Sequence, residues 1–186
     1  MLSIGHTPGS GGRPSARSGV LVEVDCARTY AEYARGELER LGHEVAVLAG
    51  GRYRWRQEWA AHWADIYVEC HCNMGNGDYG LVGYDARSTA GARAAVEVSA
   101  ALGVVWDGVL ARTRAQPCKT TDSDGAQHWT AHMLALLKYV YPGKACGIVY
   151  EPGFLDRRDH RPMWTDEGLQ HTGIALARGL VAWGAP

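Results

Sequence analysis

Short apolar runs alternate with stretches of helical periodicity along nearly the whole chain, and this alternation limits the fold more than any other feature. Leu2–Ile4, Glu44–Leu48, Asp65–Cys72, Gly80–Tyr84, Val104–Leu110 and Ala145–Glu151 read as strands. Between them, Val24, Ala27, Ala31, Ala34, Leu38 and Leu41 repeat at the three-and-four spacing of an amphipathic helix stopped by Gly42. Arg52–Trp63, Ser88–Leu102, Ala126–Tyr139 and Thr165–Trp183 read as further helices, with Ser88 or Thr89 as a cap. Strands alternating with helices imply α/β architecture, with a largely parallel sheet covered on both faces. In such folds a ligand sits beyond the carboxyl ends of the strands.

With 186 residues and no repeat, linker or low-complexity tract, one domain over 1–186 is expected. A chain this long buries enough surface to fold without a disulfide or structural metal. Nineteen basic residues against twenty acidic ones give a net charge of −1, which excludes a dedicated nucleic-acid binder and a polybasic membrane clamp. No run of 18 apolar residues is present, so no membrane insertion is expected. The start, Met-Leu-Ser-Ile-Gly-His, lacks the basic and apolar regions of a signal peptide, so synthesis in the cytoplasm is expected. Five cysteines, an odd number with no C-x-x-C pair, argue against a disulfide framework. Glycine, at 24 residues, gathers in loops and predicts long shaped loops on a compact scaffold.

Three of the strand-like runs end in reactive side chains. Ile4-Gly5-His6 closes the first, Cys70-His71-Cys72-Asn73 the Asp65 run, and Tyr150-Glu151-Pro152-Gly153-Phe154 the Ala145 run. Glu23 opens the first long helix. Two imidazoles and a carboxylate converging from separate elements are a usual donor set for Zn²⁺ with a position left open. A further carboxylate beside it would serve as general base.

On these residues the chain resembles the zinc-dependent N-acetylmuramoyl-L-alanine amidases of the amidase-3 type, found in bacterial cell-wall enzymes and phage endolysins. The shared features are Gly5-His6 after a hydrophobic strand, Glu23 opening a helix that ends nineteen residues later at Gly42, and Ala64-Asp65 leading to His71-x-Asn73. They continue with Gly80-x-x-x-Tyr84 and end in Glu151-Pro152-Gly153-Phe154. Their order and spacing match over residues 2–180. The resemblance implies a three-layer α/β/α fold around a twisted, mostly parallel sheet of about six strands. It also implies that His6, Glu23 and His71 bind zinc, that Glu151 is the catalytic carboxylate, and that the substrate is peptidoglycan or a muropeptide. The bond cleaved would join the lactyl group of N-acetylmuramic acid to L-alanine, in an endolysin-like, bacteriolytic enzyme that is expected to be a monomer and to reach the wall after release. The alternatives are a related zinc amidohydrolase acting on N-formyl or N-acyl amino acids, and a muropeptide-binding module without turnover.

The chain departs from the family pattern twice. Thr7-Pro8 follows Gly5-His6 where two glycines are commoner, and Glu69 stands where the family usually has serine. Residues 69, 71 and 73 share one strand face, so Glu69 either orients His71 or competes with Glu23 as a ligand. Cys70 and Cys72 point away from His71 and are expected to be buried thiols. Trp55, Trp59 and Trp63 read as a core-facing stripe rather than a glycan platform. His128 and His132, one helical turn apart, read as one buried and one solvated residue rather than a second metal site. Asp122–Gly125 reads as a turn. Arg157, Arg158 and His160 read either as a contact to stem-peptide carboxylates or as a solvated loop.

Overall fold

The computed structural model describes residues 1–10, 14–118, 128–141 and 143–184. Its elements run β1 (Leu2–Ile4), β2 (Arg17–Ser18), β3 (Leu21–Val22), α1 (Glu23–Arg40), β4 (Val47–Leu48), α2 (Tyr53–Trp63) and β5 (Ile66–Cys70). They continue with β6 (Gly80–Asp85), α3 (Thr89–Val105), β7 (Thr113–Cys118), α4 (His128–Ala135), β8 (Cys146–Glu151), a 3₁₀ turn (Arg158–Trp164) and α5 (Asp166–Gly184). Six strands form one sheet in the order β4-β1-β5-β8-β6-β7, while β2 and β3 make a separate antiparallel pair. Strands β4, β1, β5 and β8 are mutually parallel, and β6 and β7 run the other way through an antiparallel seam between β6 and β8. The tails of β1, β5 and β8 therefore emerge side by side, and those three tails carry His6, His71 and Glu151.

Alternation along the strands builds two cores, one on each face. Leu2, Ile4, Val68, Cys70, Ile148 and Tyr150 pack against α1, α3 and α5. The residues between them, among them Met1, Tyr67 and Val149, pack with Leu81 and Cys118 against α2 and α4. This is the three-layer α/β/α arrangement expected, with six strands that are mostly parallel. In the helical layer α5 lies between α1 and α3, and glycines set the distance. A Cβ on Gly173 would stand 2.7 Å from the Cβ of Tyr33, and one on Gly179 would stand 2.9 Å from the backbone nitrogen of Val98. Fully burying a side chain such as Leu176 in this layer stabilises the fold by about 2–3 kcal/mol.

Three expectations need correction. The residues 104–110 are not a strand: α3 continues to Val105, and the sixth strand of the sheet is Thr113–Cys118, within the stretch 113–125 that reads as a polar loop in the sequence; residues 119–125 lie outside the described residues. This strand lies at the sheet edge, where half-exposed polar residues and Pro117 are tolerated. The tryptophans of α2 do not face the core: Trp55, Trp59 and Trp63 are 52%, 37% and 36% exposed. Its inner face is Arg56, Gln57 and Ala60. The turn expected at Asp122–Gly125, the start of the helix expected from Ala126 and the side chain of His128 lie outside the described residues; His132 is exposed.

Candidate metal centre

His6 follows β1 through Gly5, and its backbone is in the left-handed region (φ 53°). A non-glycine residue held there costs about 1–3 kcal/mol and persists only where its surroundings fix it. Here the His6 N–H donates to the hydroxyl of Tyr53, at the first residue of α2 (2.7 Å). Behind the ring, Arg56 of α2 is completely buried and donates to the carbonyl of Ile4 (2.7 Å), to Ser3 Oγ (3.1 Å), to Thr7 Oγ1 and to the carbonyls of Gly50 and Gly51. One guanidinium thus pins the residues on both sides of His6.

Gly5 has a separate role. The imidazole of His71 lies against its Cα, and a Cβ there would stand 2.6 Å from both ring nitrogens. The glycine of the Gly-His pair is therefore required by the other histidine. The two imidazoles meet edge to face, with centroids 4.8 Å apart at 90°.

Glu23 is brought in by the β2–β3 hairpin. Its own N–H donates to the carbonyl of Ala16 (3.0 Å), and the next N–H, of Val24, donates to Ser15 Oγ (2.9 Å). The carboxylate accepts from Ala16 N–H at Oε2 (3.2 Å) and from Cys72 N–H at Oε1 (3.1 Å). That fixes Oε1 at 3.0 Å from His71 Nδ1 and 3.5 Å from His6 Nε2. His71 is held in turn by its N–H, which donates to the carbonyl of Tyr150 (3.0 Å), and by its carbonyl, which accepts from the Tyr30 hydroxyl (2.8 Å).

One ligand atom from each of His6, Glu23 and His71 lies within 4.8 Å of the others, so the cluster is able to hold a metal ion. Donors around a tetrahedral Zn²⁺ stand about 3.3 Å apart, given bonds of about 2.0–2.1 Å. The two spacings from Glu23 Oε1, 3.0 Å and 3.5 Å, are close to that, and the donors are the types that Zn²⁺ takes. Glu69 is not part of this set: it faces the other edge of the His71 ring, with Oε1 3.7 Å from Nε2.

Glu151 closes β8. Cys70 pairs with Tyr150 across β5 and β8, so Glu151 comes level with His71 one step further on. The turn after it is tied to the β5 tail: Asn73 N–H donates to the Gly153 carbonyl (2.9 Å) and Leu155 N–H to the Asn73 carbonyl (3.0 Å). The buried His160 accepts from Phe154 N–H at Nδ1 (3.0 Å) and holds the turn from behind. Arg157 reaches the carboxylates of Asp78 at 2.9 Å and Asp159 at 3.4 Å and donates to the Asn76 carbonyl at 3.3 Å.

The electrostatics separate the two carboxylates. Burial works against ionising Glu23, but the hydrogen bond and charge of His71, joined by the charge of His6, outweigh it and hold the carboxyl below its usual range. Burial pushes Glu151 up to about 7; His71 opposes this and Glu23 adds to it. Burial also raises Glu69, against the opposing effects of His71, Tyr67, Ser3 and Arg56. For His71 burial disfavours the charged ring, yet the Glu23 hydrogen bond and the charges of Glu69, Glu23 and Glu151 leave it raised. A carboxylate that stays ionised beside one poised near neutrality is the pairing that separates a ligand from a proton acceptor.

Sequence reasoning named His6, Glu23, His71, Glu151 and Glu69 but missed Ser3, Tyr30, Tyr53 and Arg56. Nothing local marks them. Arg56 in particular sits beside three tryptophans that claim the apolar face of the helix pattern. Cys70 and Cys72 are buried free thiols, as expected, and the other three cysteines are buried and free as well.

No family model and no curated protein matches the sequence. Solved structures do match its fold. The catalytic domain of CD27L endolysin targeting Clostridia Difficile aligns over 97% of this chain and 95% of its own, with TM-score 0.73 and 18% identity. N-acetylmuramoyl-L-alanine amidase AmiC2 of Nostoc punctiforme aligns over 98% and 94%, with TM-score 0.71 and 19% identity. Ami1, the N-acetylmuramyl-L-alanine amidase from Mycobacterium smegmatis, aligns over 98% and 94%, with TM-score 0.74 and 16% identity. The chain shares its fold with these amidase domains, as the resemblance read from the sequence implies.

Proposed function

We propose that the protein is a zinc-dependent N-acetylmuramoyl-L-alanine amidase that cleaves the bond between the lactyl group of N-acetylmuramic acid and L-alanine in peptidoglycan. The observation that carries this reading is the meeting of His6, Glu23 and His71 beside Glu151, at the tails of three adjacent parallel strands, in the fold of peptidoglycan amidases. His6, Glu23 and His71 would hold the ion. When bound, zinc supplies a Lewis acid that polarises the amide carbonyl and acidifies water.

The remaining work falls to the protein. Glu151 takes a proton from the attacking water as oxygen adds to the lactyl carbonyl carbon. It then returns that proton to the nitrogen as the carbon–nitrogen bond breaks, so L-alanine leaves as a neutral amine and the lactyl group as a carboxylic acid, which gives its remaining proton to solvent. A group poised near neutrality performs both halves of this exchange. Glu23, held ionised, serves the ion rather than the proton. The tied turn at residues 152–155 keeps Glu151 in place through both proton transfers. The enzyme is proposed to act at the bacterial cell wall, in the manner of an endolysin. None of the described helices is long and apolar enough to cross a membrane.

The test is metal content of the purified protein together with dye release and new amino groups from labelled peptidoglycan, with and without chelator. One equivalent of zinc and chelator-sensitive release of muropeptide amines are expected. Zinc-bound protein that leaves walls intact but hydrolyses small N-acyl amino acids would transfer the reading to the other amidohydrolases.

A further inference from the structure

We propose that Glu69 is a positioning residue for His71, its Oε1 accepting the hydrogen on Nε2 and so holding the ring with Nδ1 turned toward His6 and Glu23. This rests on the reading of His71 as a ligand but draws on different observations. Glu69 Oε1 and His71 Nε2 are both buried, and each lacks a hydrogen-bond partner. They face one another at 3.7 Å. A buried polar atom left unpaired costs about 1–3 kcal/mol. A shift of about 0.8 Å brings the two to hydrogen-bond distance and satisfies both.

The rest of the Glu69 carboxylate is already fixed. The Tyr67 hydroxyl donates to Oε2. Ser3, opposite Glu69 in the β1–β5 register, favours its ionised form. Ser3 Oγ in turn accepts from Arg56 (3.1 Å), the guanidinium that also holds the carbonyl of Ile4. Glu69 is fully buried, and Oε1 is the oxygen that points to the ring. Among the described residues the metal-capable cluster is His6, Glu23 and His71, and Glu69 faces the ring edge away from it. Distance and direction both make it a partner of the ring. Carboxylate–histidine–metal arrangements of this kind set the tautomer, and removing the carboxylate weakens metal affinity by about 10–100-fold.

The experiment uses the full chain with ¹⁵N-labelled histidine rings, as wild type, E69M and E69Q, metal-free and titrated with zinc against a chromophoric chelator. In metal-free wild type the His71 Nε2 resonance should be that of a nitrogen carrying hydrogen, and E69M should lose it. Zinc affinity should fall about 10–100-fold in E69M and by a smaller factor in E69Q, which keeps a carbonyl acceptor. A bare Nε2 in wild type, or an E69M protein with wild-type Nε2 and zinc affinity within about twofold, overturns the proposal. If E69M fails to fold, E69Q decides it, and unchanged zinc affinity there is the overturning result. A wild type that binds no zinc would refute the amidase reading, while the Nε2 resonance would still decide the role of Glu69.

Discussion

Replacing Glu151 with glutamine should stabilise the metal-free protein in a pH-dependent way while abolishing its activity. Burial raises the Glu151 carboxyl from an ordinary 4.5 to about 7. Below about pH 4.5 the folded and unfolded chains both carry the proton, and the carboxyl is neutral in each. As the pH rises, the unfolded chain ionises first, so the folded state holds the extra proton and stability falls until the folded carboxyl ionises near pH 7. At about 1.36 kcal/mol per pH unit, the full penalty above that window is about 3 kcal/mol. The residue is partly exposed, so about 2–3 kcal/mol is the expected range. Glutamine mimics the protonated acid and escapes the penalty. Urea unfolding of dialysed, metal-free protein, followed by tryptophan fluorescence, should show E151Q more stable than wild type by that amount at pH 8.5 and equal to it at pH 4.5. For a chain of this size that is about 2–4 °C in Tm for each kcal/mol. Comparing the two proteins at each pH cancels what Glu23, His71 and Glu69 contribute independently of Glu151 and leaves the coupling of Glu151 to His71 and Glu23 within the measured difference. Turnover of peptidoglycan by E151Q should fall by at least about 100-fold, with zinc still bound. Equal stability at pH 8.5, or the same gap at both pH values, would refute the assignment of Glu151 as a carboxyl strained by burial.

Four further outcomes follow from the geometry. Adding zinc at about 100 times its Kd should stabilise the wild type by about 2.7 kcal/mol, and H71A should lose that increment in a thermal melt. Gly5→Ala drives a Cβ into the His71 ring, so about 1–3 kcal/mol of stability should be lost along with most zinc affinity, both measurable on one purified sample. Arg56→Met removes the donor to the carbonyls of Ile4, Gly50 and Gly51 and should cost about 2–4 kcal/mol by denaturant titration; a loss under 0.5 kcal/mol would contradict its bridging role. In the zinc-loaded enzyme kcat/KM should climb with pH to a plateau, with its acidic limb at or below about 7, because Glu151 accepts a proton only when ionised and a nearby cation favours that form. Activity that declines between pH 5 and 7 would contradict this.

What was legible in the sequence follows from where each signal resides. Strands buried on both faces, such as β5 and β8, declare themselves as apolar runs, and their tails carry the reactive residues a few positions later. The edge strand β7 does not, because an edge needs little apolar surface and admits Pro117. The antiparallel seam between β6 and β8 leaves no mark in either strand. The tryptophans of α2 mislead because Arg56 and Gln57 spend their polarity inward. Gln57 donates to the Ala135 carbonyl (3.1 Å) and accepts from Tyr139 N–H (2.9 Å), which leaves the rings outside. The left-handed backbone of His6 is equally silent, since it is imposed by Tyr53 and Arg56, far along the chain.

The three donors arise from two strand tails and one helix start, in segments separated by long stretches of polymer. No early, locally ordered piece of this chain presents all of them, so tight metal binding by this cluster would belong to the last stage of assembly. Metal uptake timed against refolding would serve as a clock for that final docking.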